Sequence, residues 1–217
     1  MTEEQIHAGA RKLIGVVNAN LAMPDLLPHL WRLLVDHGEP VSAEELAAAG
    51  GWPIEEVHAE LSRQPGVDWD ERDKVAGFGL TLRPTPHAFT FDRRTVYGWC
   101  ATDTLQFPRG LGRPGVVDST CPATGQHIRI ELTPNGIVRV DPPEAVVSKM
   151  HLTRAVANVR DLCDLGHFFS SREVAADWLT AHPQGEVIPV AEEFEVVRRA
   201  STELGWTALS APSPPAC

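Results

Sequence analysis

A cysteine and an aspartate stand three residues apart in the segment VYGWCATDTLQFP, at residues 96–108. Residues with this spacing on a helix project from one face about one turn apart, so Cys100 and Asp103 could address the same small molecule. As a thiolate, the cysteine would be a nucleophile or a ligand for a soft metal. A buried carboxyl would have a raised pKa, which suits it to deliver a proton. The alternative is a packing cysteine beside an aspartate that caps the local helix.

The other three cysteines form no CxxC motif and no zinc-ribbon pair, which removes the strongest sequence signals for structural zinc or a redox couple. Cys163 lies among polar residues in NVRDLCDLGHFF, at 158–169, and is the second candidate for chemistry. His167 precedes two phenylalanines, so we interpret it as a core residue with a satisfied ring. Cys121 falls where a strand enters a turn, and we interpret it as a packing residue. Cys217 lies in the C-terminal tail, and we assign it no role.

Composition limits the class of protein. The chain has 217 residues, 43% of them hydrophobic and 22% charged, enough for one substantial domain or two small ones. A formal net charge of -10 argues against a phosphate-binding surface, so no nucleic-acid partner is expected. No window approaches the roughly 20 apolar residues that cross a bilayer, and the first residues lack a secretory pattern. We therefore expect no membrane partner, a cytoplasmic location and free thiols.

The first part of the chain, residues 1–94, has the pattern of a winged-helix-like domain. Leucines between positions 26 and 34 form one apolar helical stripe. Ser42 and Glu45 have the spacing of a capping box, and Pro53 suits the first turn of the next helix. Two β-rich runs, at 75–82 and 87–91, predict a hairpin after these helices.

DNA binding is the obvious use of such a domain, but the charges oppose it. The second helix of the helix-turn-helix pattern carries Glu55, Glu56 and Glu60 against Arg63 alone. Phosphates would be repelled by this helix. The domain is therefore expected to be a scaffold or a lid.

A second domain is expected at residues 95–208, which makes the fold α+β. Four runs separated by turn signals, at 115–120, 127–133, 137–140 and 145–148, predict an antiparallel meander. Helical patterns follow at 172–181 and 191–204. Residues 209–217 form a Pro/Ser-rich tail that is expected to be disordered.

Several ordered blocks of the sequence resemble those of organomercurial lyases, also called alkylmercury lyases. The blocks are YGWCATDTLQFP at 97–108, CPATG at 121–125, VRDLC at 159–163, HFF at 167–169 and ADW at 176–178, with GFGLTLR at 77–83 upstream. Their order and separations extend the resemblance over nearly the whole chain except the tail. A tryptophan–cysteine pair alone would not be specific enough to indicate this family.

This resemblance implies protonolysis of a carbon–mercury bond, giving a hydrocarbon and Hg(II), in a setting of mercury resistance and detoxification. It places Cys100 and Cys163 on the family's two catalytic cysteines and Asp103 on its catalytic aspartate, the three together holding the metal. Cys121 matches a recurring cysteine that we assign to structure near the site. Trp99 is expected to wall the pocket, where its apolar face suits the organic group.

The resemblance also implies partners. The substrate is an organomercurial small molecule, no cofactor is needed, and Hg(II) stays bound until low-molecular-weight thiols or a mercuric reductase remove it. Asp164 departs from some members, which have a further cysteine there, and this could alter metal retention. Two alternatives remain open: a non-catalytic Hg or Cu binding protein, and a thiol-based metal sensor.

Overall fold

The structure, a computed structural model, describes residues 1–150 and 156–207, and these contain eight helices and eleven strands. The helices are α1 (Glu3–Asn20), α2 (Leu26–His37), α3 (Ala43–Gly50), α4 (Ile54–Ser62), α5 (Ala101–Leu111), α6 (Arg160–Cys163), α7 (Ala176–Ala181) and α8 (Val190–Glu203). The strands are β1 (Asp68–Trp69), β2 (Val75–Phe78), β3 (Leu80–Thr81), β4 (His87–Phe91), β5 (Arg94–Gly98), β6 (Gly115–Thr120), β7 (His127–Thr133), β8 (Gly136–Asp141), β9 (Val146–Met150), β10 (Phe168–Phe169) and β11 (Gly185–Pro189). The α+β class is confirmed, with the helical region first and antiparallel sheets after it.

Helices α3 and α4 begin close to the positions that the sequence predicts. Ser42 caps α3 through a complete capping box with Glu45, which confirms that expectation. Helix α4 starts directly after Pro53. Within α2 the apolar stripe is buried except for the half-buried Leu33. Gly38 ends the helix in the left-handed conformation that glycine adopts without strain.

The expected hairpin between 75–82 and 87–91 does not form. The left-handed Gly79 breaks the first run into β2 and β3, which pair with each other. Strand β4 instead turns back into β5 through Asp92 and Arg93, both with positive φ, and β5 lies between β3 and β4. Residues that turn the chain locally thus replace one long hairpin with two short ones.

The strands form two sheets. The larger has the order β1-β2-β3-β5-β4-β6-β7-β8, so the strands between residues 68 and 98 continue into the predicted meander. The prediction that the run at 145–148 extends this meander is wrong, because β9 lies in a second sheet of order β10-β9-β11. Prolines 142 and 143 interrupt the chain after β8, and β9 is then buried between two new partners.

An aromatic cluster joins the N-terminal helices to α5. Trp31 of α2 packs edge-on against Phe107 of α5, with ring centroids 5.4 Å apart, and against Trp206 at 5.7 Å. Its indole Nε1 donates to the Phe78 carbonyl at 2.8 Å. Trp31 is 1% exposed, so one buried side chain fixes α5 relative to both α2 and β2.

The argument against DNA binding treated all three glutamates of α4 as surface charges, but one of them is buried. Glu60 is 1% exposed and accepts hydrogen bonds from Arg63 and from the Ala22 backbone, whereas Glu55 and Glu56 remain exposed. Two exposed glutamates thus remain on this helix. Across residues 1–150 and 156–207, no helix combines the length and the apolar character needed to cross a bilayer. The tail expected at 209–217 lies outside the described residues.

Candidate active site

The first turn of α5 places Cys100 and Asp103 side by side. Cys100 is the N-cap residue, and its Sγ accepts the Asp103 backbone N–H at 3.4 Å. In return, the Asp103 Oδ2 accepts the Cys100 backbone N–H at 3.1 Å. The aspartate does cap the helix, and this capping box holds a thiol and a carboxyl one turn apart on the same helix.

Cys163 reaches this pair from a distant part of the chain. It ends α6, and the Ala101 backbone N–H donates to the Gly166 carbonyl at 3.0 Å, which ties the following loop to the start of α5. A Cβ on Gly166 would lie 2.9 Å from the Cys100 Cβ, so only glycine permits this close approach. As a result, one ligand atom from each of Cys100, Asp103 and Cys163 lies within 4.8 Å of the other two.

Burial controls the protonation of the three groups. Burial raises the pKa of Asp103 to about 6, against smaller lowering effects of its hydrogen bonds and of Arg160. The hydrogen bond with Cys163, together with burial, raises the pKa of Cys100 well above its ordinary value. The same hydrogen bond lowers the pKa of Cys163, but burial and Asp103 outweigh it and the net direction is upward. Near neutral pH the site therefore holds two thiols and a carboxylate that can accept a proton.

Arg160 adds a positive charge that the sequence analysis did not identify. Its guanidinium lies 4.6 Å from the centre of the Trp99 ring. Its Nη1 lies 3.4 Å from the Asp68 Oδ1, and the Trp99 Nε1 donates to the Asp68 Oδ2 at 2.9 Å. The only sequence signal for Arg160 is its place three residues before Cys163, because the stacking depends on contacts between distant segments.

A cavity of about 600 Å³ opens onto the three residues. Much of its wall is apolar and includes Leu13, Val17, Trp31, Phe78, Leu162 and Trp206. Trp99 also lines it, where we expected a pocket wall. Another part of the wall carries Thr102, Lys149, Glu186 and Glu193. The cavity can therefore take a small apolar group beside the thiols.

The remaining predicted residues do not belong to the group formed by Cys100, Asp103 and Cys163. Cys121 is fully buried at the end of β6, in a turn closed by a hydrogen bond from the Gly125 N–H, and it does not line the cavity. His167, which we expected in the core, is only half-buried, and its ring lies 5.9 Å from that of His87. Asp164 points outward and accepts a 3.1 Å hydrogen bond from Arg160. Cys217 is outside the described residues.

The chain is similar to known proteins over most of its length. A family model described as alkylmercury lyase matches residues 80–202, and one described as the helix-turn-helix domain of alkylmercury lyase matches residues 10–79. An alkylmercury lyase of Staphylococcus epidermidis is 43% identical over 179 residues, which is 82% of each chain. One of Streptomyces lividans is 39% identical over 194 residues, 88% of each chain.

A solved structure agrees with this at the level of the fold. The crystal structure of the mercury-bound form of MerB2 matches with a TM-score of 0.73, over 91% of this chain and 99% of that chain, at 22% identity. From the family models and the relatives it follows that the chain belongs to the alkylmercury lyase family, a class of enzymes that cleave carbon–mercury bonds.

Proposed function

We propose that Cys100, Asp103 and Cys163 carry out protonolysis of an organomercurial, giving a hydrocarbon and Hg(II). The observation that carries this proposal is the grouping of two thiols and one carboxyl within 4.8 Å on the wall of a largely apolar cavity. Mercury is a soft metal, and thiolate sulfur is its preferred protein ligand. The cavity wall beside Trp99 suits the organic group.

Binding begins at Cys100 in this proposal. Its sulfur attacks the mercury of R–Hg–X, and its proton passes to the Asp103 carboxylate, which lies one helical turn away. A carboxyl with a pKa of about 6 is mostly ionised near neutral pH, so it can accept this proton. Because one capping box holds both groups, the thiol and the carboxylate are already positioned for proton transfer.

Cys163 supplies the second sulfur, and its proton leaves with the displaced X⁻ as HX. Its coordination places more electron density on the mercury and weakens the Hg–C bond. The carbon leaves with the bonding electron pair and takes the proton held by Asp103. Two thiols and R–Hg–X thus become RH, HX and Hg(II) bound by two cysteine sulfurs, with no change in oxidation state.

Turnover then requires removal of the product. No cofactor takes part in these steps, and the Hg(II) dithiolate persists until external thiols exchange with it or a mercuric reductase takes the ion. Thiol exchange suits a soft ion because each Hg–S bond that breaks is replaced by another. The same site without proton delivery would be the non-catalytic metal-binding alternative.

The test follows benzene and Hg(II) together, using phenylmercury and excess thiol. The parent protein is expected to release one benzene for each Hg(II) formed. Cys163→Ser is expected to bind phenylmercury through Cys100 and to release little benzene, because the second sulfur is lost. Tight mercury binding by the parent with no benzene would contradict the lyase proposal and favour the binding protein.

A further inference from the structure

The polar part of the cavity wall contains a cluster of opposite charges. Lys149 on β9 stands directly across from Glu186 on β11, with Nζ 3.8 Å from the nearer carboxylate oxygen. The same Nζ donates to the Glu193 Oε2 at 2.6 Å, and the Glu193 side chain is 1% exposed. Lys149 and Glu186 are 25% and 34% exposed. The cluster is therefore anchored inside the protein and reachable from the cavity.

This cluster is connected to the reactive residues through one side chain. Thr102 lies between Cys100 and Asp103 in the first turn of α5, and its Oγ1 donates to the Glu193 Oε1 at 3.3 Å. Thr102 and the three charged residues line the same cavity as the two cysteines. A molecule whose sulfur reaches Cys100 could therefore place its other end against Lys149 and Glu186.

The arrangement of charge indicates the kind of molecule. A lysine ammonium has three N–H donors and can bind a ligand carboxylate while it contacts protein carboxylates. Glu186 can accept from a ligand ammonium in the same way. An uncharged alkyl or aryl group would gain nothing from these residues, because charged walls favour water over apolar surface. The site fits a small zwitterion.

We propose that this polar wall binds the amino-acid part of an α-amino-acid thiol, with Lys149 at its carboxylate and Glu186 at its ammonium. The proposal rests on the proposed function, in which external thiols remove Hg(II). Two such thiols replace the two cysteine sulfurs: two Hg–S bonds break, two form, and the proton of each incoming thiol passes to a cysteine sulfur. No oxidant or reductant is required.

The experiment loads the full-length protein with one equivalent of Hg(II), adds thiol, and follows the mercury that passes from the protein into the low-molecular-weight fraction after rapid ultrafiltration. Four thiols are compared: cysteine, its methyl ester without the carboxylate, N-acetylcysteine without the ammonium, and 2-mercaptoethanol with neither. Each variant is compared with the parent for the same thiol, so that intrinsic thiol reactivity cancels. Benzene release is measured separately, so a failure of the lyase chemistry is distinguishable from a failure of thiol binding.

Two variants remove one recognition group each. Lys149→Met is expected to slow exchange with cysteine and N-acetylcysteine by about tenfold and to leave the methyl ester unchanged, because only the first two carry the carboxylate. Glu186→Gln is expected to slow exchange with cysteine and with the methyl ester, and to leave the rate with N-acetylcysteine unchanged, because only the first two carry the ammonium. Neither is expected to affect 2-mercaptoethanol.

Arg129→Met is the matched control, because Arg129 also joins neighbouring strands by an ion pair, at 2.9 Å from Asp118, but does not line the cavity. It is expected to react like the parent with all four thiols. Equal slowing of all four by Lys149→Met would show a purely structural ion pair and overturn the proposal. Parent-like rates with every thiol in both variants would overturn it as well.

Discussion

Helices α3 and α5 both begin with a capping box, but only the box of α5 forms part of a reactive site. In α3 the Ser42 Oγ accepts the Glu45 N–H at 3.2 Å and the Glu45 carboxylate accepts the Ser42 N–H at 2.8 Å. In α5 Cys100 and Asp103 exchange the equivalent bonds at 3.4 and 3.1 Å. Both pairs satisfy N–H groups that a helix start leaves without partners.

The surroundings of the two pairs differ. The Glu45 side chain is 41% exposed, and the hydrogen bond from the Ser42 backbone, with smaller effects of Lys74 and His37, lowers its pKa. Burial raises the pKa of Asp103 to about 6, and a second thiol stands within 4.8 Å. Capping therefore explains where Cys100 and Asp103 point, whereas burial and Cys163 explain what they can do.

Cys100→Ser gives the largest expected effect, because it separates the cap from the metal ligand. Serine is a preferred N-cap residue, so the stability is expected to stay within about 1 kcal/mol of the parent. Its hydroxyl is a poor ligand for mercury, so benzene release from phenylmercury is expected to be abolished. Single-turnover benzene release and thermal unfolding measure the two effects.

Ser42→Cys is the matched control for this change. It places a cysteine at the N-cap of α3, with an acid at the same spacing, on a helix that contributes no residue to the cavity wall. We expect no new benzene release when it is added to the inactive Cys100→Ser protein. Activity regained in that double variant would show that a cysteine–acid cap is sufficient by itself.

Asp103→Asn is expected to have the next largest effect. An asparagine oxygen can still accept the Cys100 N–H, but the amide cannot carry the proton, so single-turnover benzene release should fall by about 10²–10⁴-fold. Phenylmercury binding should persist through the thiols. Glu45→Gln, the same change in the other cap, should leave the rate unaltered. A parent-like rate in Asp103→Asn would refute the proton-transfer role.

Acid is expected to affect the two caps in opposite directions. Asp103 has a raised pKa, so its folded state holds the proton more tightly than the unfolded chain, and its contribution to stability falls as pH rises from about 4 to about 6. Glu45 has a lowered pKa, so its contribution is present above its ordinary pKa and is lost as pH falls. Measuring the free energy of unfolding of Asp103→Asn and of Glu45→Gln as a function of pH separates the two contributions.

The rate should follow the same ionisation. Below pH 6 the Asp103 carboxyl is protonated and cannot accept the thiol proton, so single-turnover benzene release should decline as pH falls from 7 to 5. Asp103→Asn should lack this decline. A parent rate that stays flat from pH 5 to 7 would contradict the assignment.

The sequence predicts local features of the fold better than contacts between distant segments. The cap of α3 and the strands β6, β7 and β8 follow from short-range patterns. Strand β9 does not, because an alternating run shows that a strand exists and leaves its partners undetermined.

In the site, too, local features could be predicted and contacts between distant segments could not. Spacing alone suggested a shared face for Cys100 and Asp103 and left Cys163 as a separate candidate, and only the resemblance grouped the three residues. The contacts of Arg160 with Trp99 and of Lys149 with Glu193 could not be predicted, because each joins residues far apart in the chain. Periodicity carries no information on such contacts.

Ser42→Ala gives the smallest expected effect, and it tests whether capping and chemistry are independent. Removing the hydroxyl leaves the Glu45 N–H without its partner and should lower the free energy of unfolding by about 1 kcal/mol, while Ser42→Asp should retain most of it. Neither should alter single-turnover benzene release, because α3 contributes no residue to the cavity wall. A slower rate in Ser42→Ala with unchanged stability would show that the α3 cap is coupled to the site, and the division between placement and chemistry would then fail.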